Sequence, residues 1–330
     1  MISVPNIDSK IWNIEKIALD IAEYVRSNQQ PIIELNCEGP CATTLGIYDL
    51  LDDIVRRFNL DKNNITIMTW NQIETHDTYK IKKLPPLYIQ ETVKFHSEFK
   101  EYFNDKLFDS NFKKFGLFVG RSNWLRLWLA SELYTNYNDS SVITFHYDRN
   151  LDFHKDHLGL EAWINNSATT YNLTSAINLI SASPITINEI DISYPILSPA
   201  HLNIAKIYHK FFCEIVCETY FTGNTFYPTE KIWRPIVMKT PFIVQGPEGY
   251  IKNLKKLGFQ TFNQWWDEGY DEDPYDFKPV EILKIIKKLN QLSLDQLHNM
   301  YQEMQPILEH NQTVLYNLTP QKFKEVFNYS

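Results

Sequence analysis

Apolar residues recur at Ile11, Ile14, Ala18, Ile21 and Val25, the three-and-four spacing of one helix face, and predict an amphipathic helix over residues 10–27. Pro31-Ile-Ile-Glu-Leu-Asn36 predicts a short strand, and Cys37-Glu-Gly-Pro40 a turn. Thr43 or Thr44 then caps a helix reaching Phe58, and Asn64–Trp70 predicts a second strand. Helix, strand, helix, strand is the order of a parallel α/β sheet. Residues 81–111 contain Pro85-Pro86 and an aromatic, charged stretch, and read as the end of a first domain and a linker.

A second set begins with the strand Phe115–Val119, the turn Gly120-Arg-Ser-Asn123, an apolar helix to about Tyr134 and the strand Val142–Phe145. Residues 146–210 carry no clear period. Phe211–Glu218 reads as a buried strand, 221–228 as a loop, Thr229 as a helix cap, and Pro241–Gly246 as a strand. A short helix runs from Gly249 to Leu257 with Gly258 closing it. Ile282, Leu283, Ile285, Ile286 and Leu289 mark one face of a further helix. Ser293-Leu-Asp-Gln296 is a capping box, and Thr319-Pro320 opens the last helix. Two α/β domains result, 1–110 and 111–330, matching the prior of about 150 residues per domain.

Composition narrows the function. The 330 residues hold 32 basic and 40 acidic side chains, a net charge of −8, which argues against a dedicated nucleic-acid binder. An apolar share of 44% rules out disorder as the main state. No G-x-G-x-x-G and no P-loop occurs, so a nucleotide must be held another way. Cys37/Cys41 and Cys213/Cys217 lack zinc-finger spacing and read as buried free thiols. The first residues lack the charged and apolar regions of a signal peptide, and no apolar run is long enough to span a bilayer. The expectation is a cytoplasmic protein, of a bacterial cell or a virus-infected host cell, without membrane insertion.

Two constellations could carry chemistry. Thr229-Glu230-Lys231 opens a helix after a strand and a Tyr227-Pro228 turn; free N–H groups there attract anions, Lys231 adds a full charge, and Glu230 could accept from ribose hydroxyls. The same residues also read as an ordinary capped helix in which Glu230 pairs with Arg234, ended or bent by Pro235. Gly120-Arg121-Ser-Asn-Trp-Leu-Arg126 could clamp a pyrophosphate, or be a surface turn with paired arginines. Asp152, His154, Asp156 and His157 imitate a metal site but read as a solvated segment, as does Asp271-Glu-Asp273. Trp265-Trp266 could stack on sugars, although packing explains such residues more often.

Phe211-Phe-Cys-Glu-Ile-Val-Cys-Glu218, Tyr227-Pro-Thr-Glu-Lys-Ile-Trp-Arg-Pro-Ile236 and Thr240-Pro-Phe-Ile-Val-Gln-Gly246 together resemble the donor-binding core of the α-1,3-fucosyltransferases, family 10 of the glycosyltransferases. Phe118–Arg126 resembles that family's upstream strand, Ser-Asn turn and arginine, so the likeness covers residues 112–260. Glu38-Gly-Pro40 and Gly258-Phe-Gln-Thr-Phe-Asn-Gln-Trp-Trp-Asp-Glu268 are similar to segments of phage and bacterial proteins of that broad group. The resemblance implies a GT-B fold, two Rossmann-like domains facing across a cleft. It also implies a nucleotide-sugar donor, GDP-fucose in the family, bound chiefly by the second domain. By position, Arg126 would hold the pyrophosphate, Lys231 a phosphate and Glu230 the ribose, with Arg121, Glu218, Tyr227 and Thr229 around them. No metal or other cofactor is required in that fold, because helix dipoles and cations neutralise the leaving diphosphate.

An inverting transfer needs one base to deprotonate the acceptor hydroxyl, here a carbohydrate or another hydroxyl compound. Strand carboxyl ends of the first domain offer Glu38, then Glu74 or His76. Two other functions stay open. One is a phage-type transferase placing a different sugar on a modified DNA base or virion component, with Lys106, Lys113, Lys114, Arg121 and Arg126 as its candidate basic groove. The other is a nucleotide-sugar or carbohydrate-binding module without turnover.

Overall fold

The computed structural model describes residues 1–3, 14–35, 39–86, 106–120, 123–146, 173–187, 207–275 and 277–329. These form an α/β protein with two parallel four-stranded sheets. The first sheet runs in chain order: β1 (Ile2–Ser3), β2 (Ile32–Glu34), β3 (Thr66–Thr69) and β4 (Lys80–Lys83). Helices α1 (Ile14–Ser27) and α2 (Ile47–Phe58) make the first two crossovers. Ile33, Leu35, Ile47, Leu51, Ile54 and Ile67 form the centre of its apolar core.

The two outer strands escaped the sequence reading. β1 is only two residues long. β4 reads Lys-Ile-Lys-Lys, with Lys80 and Lys82 exposed beside half-buried Ile81, the charged texture that protects a sheet edge. Residues 81–83 are therefore strand, not linker. The cap of α2 also differs. Thr43 and Thr44 lie in the turn, and Gly46 caps the helix at φ 69°, a conformation that needs no Cβ.

The second sheet has the order β6 (Ser141–Phe145), β5 (Lys113–Val119), β7 (Phe211–Cys217), β8 (Phe242–Gln245). The chain leaves β5 toward β6 on one side, and β7 returns on the other. That reversal makes the carboxyl ends of β5 and β7 a topological switch point, where open α/β sheets leave a crevice. α3 (Trp124–Asn136) follows β5, α4 (Leu173–Ala182) follows β6, and α5 (Glu230–Val237) joins β7 to β8. α6 (Tyr250–Lys256), α7 (Lys278–Asn290), α8 (Leu294–Tyr316) and α9 (Pro320–Phe327) complete the described helices.

Locally coded ends formed as expected. Ser293 and Gln296 make the capping box of α8, and Thr319 caps α9 by accepting from Lys322 N. Pro235 sits inside α5, which ends two residues later. Asp271 is a correction: it is 6% exposed, not solvated. Gly249 has no side chain to cap α6, and the Asp271 carboxylate folds back to accept from Ile251 N and Lys252 N at 2.9 and 3.0 Å.

The two sheets are tied together. Lys83 Nζ at the edge of the first donates to Phe327 O at the end of α9, 3.1 Å away. No helix among the described residues is long and apolar enough to cross a membrane.

Candidate functional site

Five of the residues singled out above meet at the switch point. β7 is followed directly by Glu218, a residue only 2% exposed. Burial of a carboxylate is costly unless donors replace water, and four do. Thr229 N (3.2 Å) and the Tyr250 hydroxyl (2.5 Å) reach Oε1. The Thr229 hydroxyl (2.6 Å) and Thr219 N (3.3 Å) reach Oε2. Glu218 thus fixes the cap of α5, and the Thr229 hydroxyl in turn accepts from Lys231 N. Arg126, one turn into α3, lays Nη2 2.7 Å from Glu218 O, while Asn123 caps α3 by accepting from Arg126 N.

Lys231 lies at this corner. Its Nζ donates to Glu230 Oε1 (2.9 Å), Thr219 Oγ1 (3.1 Å) and Thr229 Oγ1 (3.3 Å), with 19% of the side chain exposed. Burial works to raise the Glu230 pKa, but the charge and hydrogen bond of Lys231 and the charge of Arg234 outweigh it and hold the carboxyl down to about 2. Glu230 is therefore an anion at neutral pH, poised as an acceptor.

Arg234 does not take Glu230 as its partner. It donates to Glu214 Oε1 at 3.1 Å, and the Tyr208 hydroxyl donates to the other oxygen at 2.5 Å. Burial raises the Glu214 pKa, against the pull of Arg234 and Tyr208. The sequence reading missed this pair, although its signal was present: one acid inside the apolar run Phe211-Phe-Cys-Glu-Ile-Val-Cys217. Glu214 within β7 and Glu218 just past its end hold the last turn and the cap of α5.

The loop between β7 and α5 reaches the first sheet. Asn71 after β3 accepts from Phe226 N at 2.9 Å and donates to Asn224 O at 2.9 Å, and Gln72 N donates to Phe226 O at 2.9 Å. The Thr225 hydroxyl donates to Gly39 O. Gly39 and Gly223 both have φ near 75°, and a Cβ on Gly39 would lie 2.8 Å from Tyr227 Cβ. Tyr227 is buried in this seam.

Glu74 and His76 belong to the same seam and are braces. Glu74 is 4% exposed and accepts from Ala42 N (3.2 Å), the Tyr48 hydroxyl (2.8 Å) and Asn71 Nδ2 (2.9 Å). Burial lifts its pKa against those three bonds. His76 Nδ1 accepts from Thr78 N and Tyr79 N, and its ring packs 4.1 Å from that of Tyr48. Glu38, Arg121, Cys37 and the Asp152–His157 cluster lie outside the described residues.

The expected basic groove does not form from its lysines. Lys106 is 8% exposed and donates to Tyr208 O, Phe211 O and the Thr240 hydroxyl. Lys113 is spent on Asp139 O, and Lys114 on Asn290 O and Leu292 O. Cys41, Cys213 and Cys217 are buried free thiols, as read. Among the described residues no group of three or more His, Cys, Asp or Glu could hold a metal ion.

No family model, curated protein or solved structure matches this chain. The candidate site is a lysine-bearing helix start beside a fixed arginine and an ionised acceptor, at the switch point of a parallel sheet.

Proposed function

We propose that this chain is an inverting glycosyltransferase of GT-B type that uses a nucleoside-diphosphate sugar, GDP-fucose being the donor that the fucosyltransferase resemblance suggests. The observation that carries the reading is Lys231 at the capped start of α5, beside Arg126 and Glu230, at the switch point of the second sheet. The positive end of a helix, a lysine and an arginine suit a diphosphate, and an ionised Glu230 suits ribose hydroxyls. In the transfer, the acceptor oxygen bonds to the anomeric carbon and its proton passes to a base. The bond from that carbon to the phosphate oxygen breaks, and the cations take up the charge left on the diphosphate. With Glu74 and His76 engaged in the seam, Glu38 is the candidate base. It precedes Gly39, which abuts Tyr227.

Thermal unfolding against GDP, UDP, CDP, ADP and dTDP tests the donor site. A ligand at 100 times its Kd adds about 2.7 kcal/mol, a rise of several degrees for a chain of this size. The expected result is a shift with GDP that disappears in Lys231→Ala. A shift with another nucleotide retains the fold reading and discards fucose, and none with any of the five overturns the proposal.

A second reading, binding without turnover, is favoured by the engagement of Glu74 and of His76 Nδ1 in hydrogen bonds within the seam. Release of GDP from GDP-fucose by the wild type, lost in Glu38→Gln with donor binding intact, separates the two.

A further inference from the structure

Away from the switch point, the turn that follows Phe262 and helix α7 enclose a half-open cavity of about 510 Å³. That volume lies within the range of about 300–1,000 Å³ usual for small-molecule sites. Trp265 forms part of its wall. The indole is half-buried, and its Nε1 donates to Glu303 Oε2 at 3.2 Å, which fixes the ring while leaving surface open. Trp266 is buried beneath, with its ring 5.2 Å from that of Phe262, and makes the floor rigid.

Asn263 and Gln264 line the same cavity. Both are exposed, and neither carboxamide has an intramolecular partner among the described residues. Lys288 joins them from α7, outside any ion pair among the described residues. A fixed aromatic surface matches the C–H face of a pyranose, and carboxamides both donate and accept, as sugar hydroxyls do. Two lysines, Lys284 and Lys288, face two carboxylates, Asp267 and Glu281, in the same lining, which is a poor trap for a phosphate.

We infer that this cavity is a saccharide-binding subsite, separate from the proposed donor site. It does not depend on the transfer reaction, since none of Arg126, Glu218, Glu230 or Lys231 lines it. Asp267 and Glu281 balance Lys284 and Lys288 in the lining, so neutral sugars are its expected ligands over those carrying a carboxylate.

The test uses the full chain, fluorescently labelled, on an array of immobilised neutral and uronic-acid-containing oligosaccharides, followed by calorimetric titration of the glycans retained. Trp265→Ala weakens binding by about tenfold or more, equivalent to roughly 1.4 kcal/mol. Trp265→Phe, which keeps a ring, restores most of it. Asn263→Ala/Gln264→Ala alters only exposed side chains and weakens binding by a similar factor without a change in Tm. The inference is overturned if the array retains nothing, if the two variants bind as tightly as the wild type, or if free adenosine competes for the cavity. Nucleotide-induced thermal shifts in these variants stay as in the wild type, so the two proposals fail independently.

Discussion

Asn71 and Phe226, 155 residues apart, are bonded as neighbours: the Asn71 carboxamide oxygen accepts the Phe226 amide at 2.9 Å. The Nδ2 of the same side chain reaches Asn224 O and Glu74, so a single residue joins both sheets and a buried carboxylate. Asn71→Ala strands the Phe226 N–H and removes one donor from Glu74. At 1–3 kcal/mol for a buried group left unpaired, the cost is about 2–4 kcal/mol. Urea unfolding measures it, and faster exchange of the Phe226 amide locates it in the seam.

Thr229→Ala removes both a helix cap, worth about 1 kcal/mol, and a hydroxyl donor to the buried Glu218. The expected loss is about 2–3 kcal/mol in total. Thr229→Ser, which keeps the oxygen, stays within about 1 kcal/mol of the wild type. Equal midpoints for Ala and Ser in urea would contradict this arrangement of the cap.

Gly39 and Gly249 have nearly the same backbone, φ 73° and 71°, but different surroundings. A Cβ on Gly39 meets Tyr227 Cβ at 2.8 Å and Asn71 N at 3.0 Å, whereas at Gly249 the nearest atom is 3.9 Å away. Gly249→Ala therefore carries only the left-handed penalty of about 1–2 kcal/mol. Gly39→Ala adds the overlap and should exceed it by about 1–3 kcal/mol. The difference between the two melting shifts isolates the packing of the seam.

Lys106 gives a pH signature. Burial lowers its pKa to about 7, although Cys213 and Glu214 pull the other way. The folded value lies below the unfolded one, near 10.4. The unfolded chain therefore binds more protons between the two, and stability rises with pH across that window. Relative to Lys106→Met, the wild type should gain about 2–3 kcal/mol between pH 7 and 9.5. Paired urea titrations read the gain, and parallel curves for the two proteins would contradict it.

What the sequence disclosed was local. Thr229, Ser293 and Thr319 announce their caps because a hydroxyl reaches N–H groups two or three residues ahead. The strand core of β7 is legible as an apolar run interrupted only by Glu214. What stayed hidden depends on distant partners. β4 looks like a linker because it is a lysine-rich edge. Asp271 looks solvated until α6, with a glycine at its cap, needs its carboxylate. Lys106 looks like a surface cation, yet its carbonyl partners lie more than 100 residues along the chain. Glu74 sits where a base was sought, and only tertiary contacts with Ala42 N and Tyr48 reveal it as a brace.

The loop that leads into Thr229 is bonded to the first sheet, while Thr229 itself is bonded to the strand of the second. Any ligand that grips the start of α5 more firmly when Phe226 is seated against Asn71 makes separation of the sheets harder by the same factor that separation weakens the ligand. Coupling of this kind is reciprocal by thermodynamic necessity. Occupancy of the crevice and the angle between the two halves of the molecule would then be one equilibrium observed from two ends.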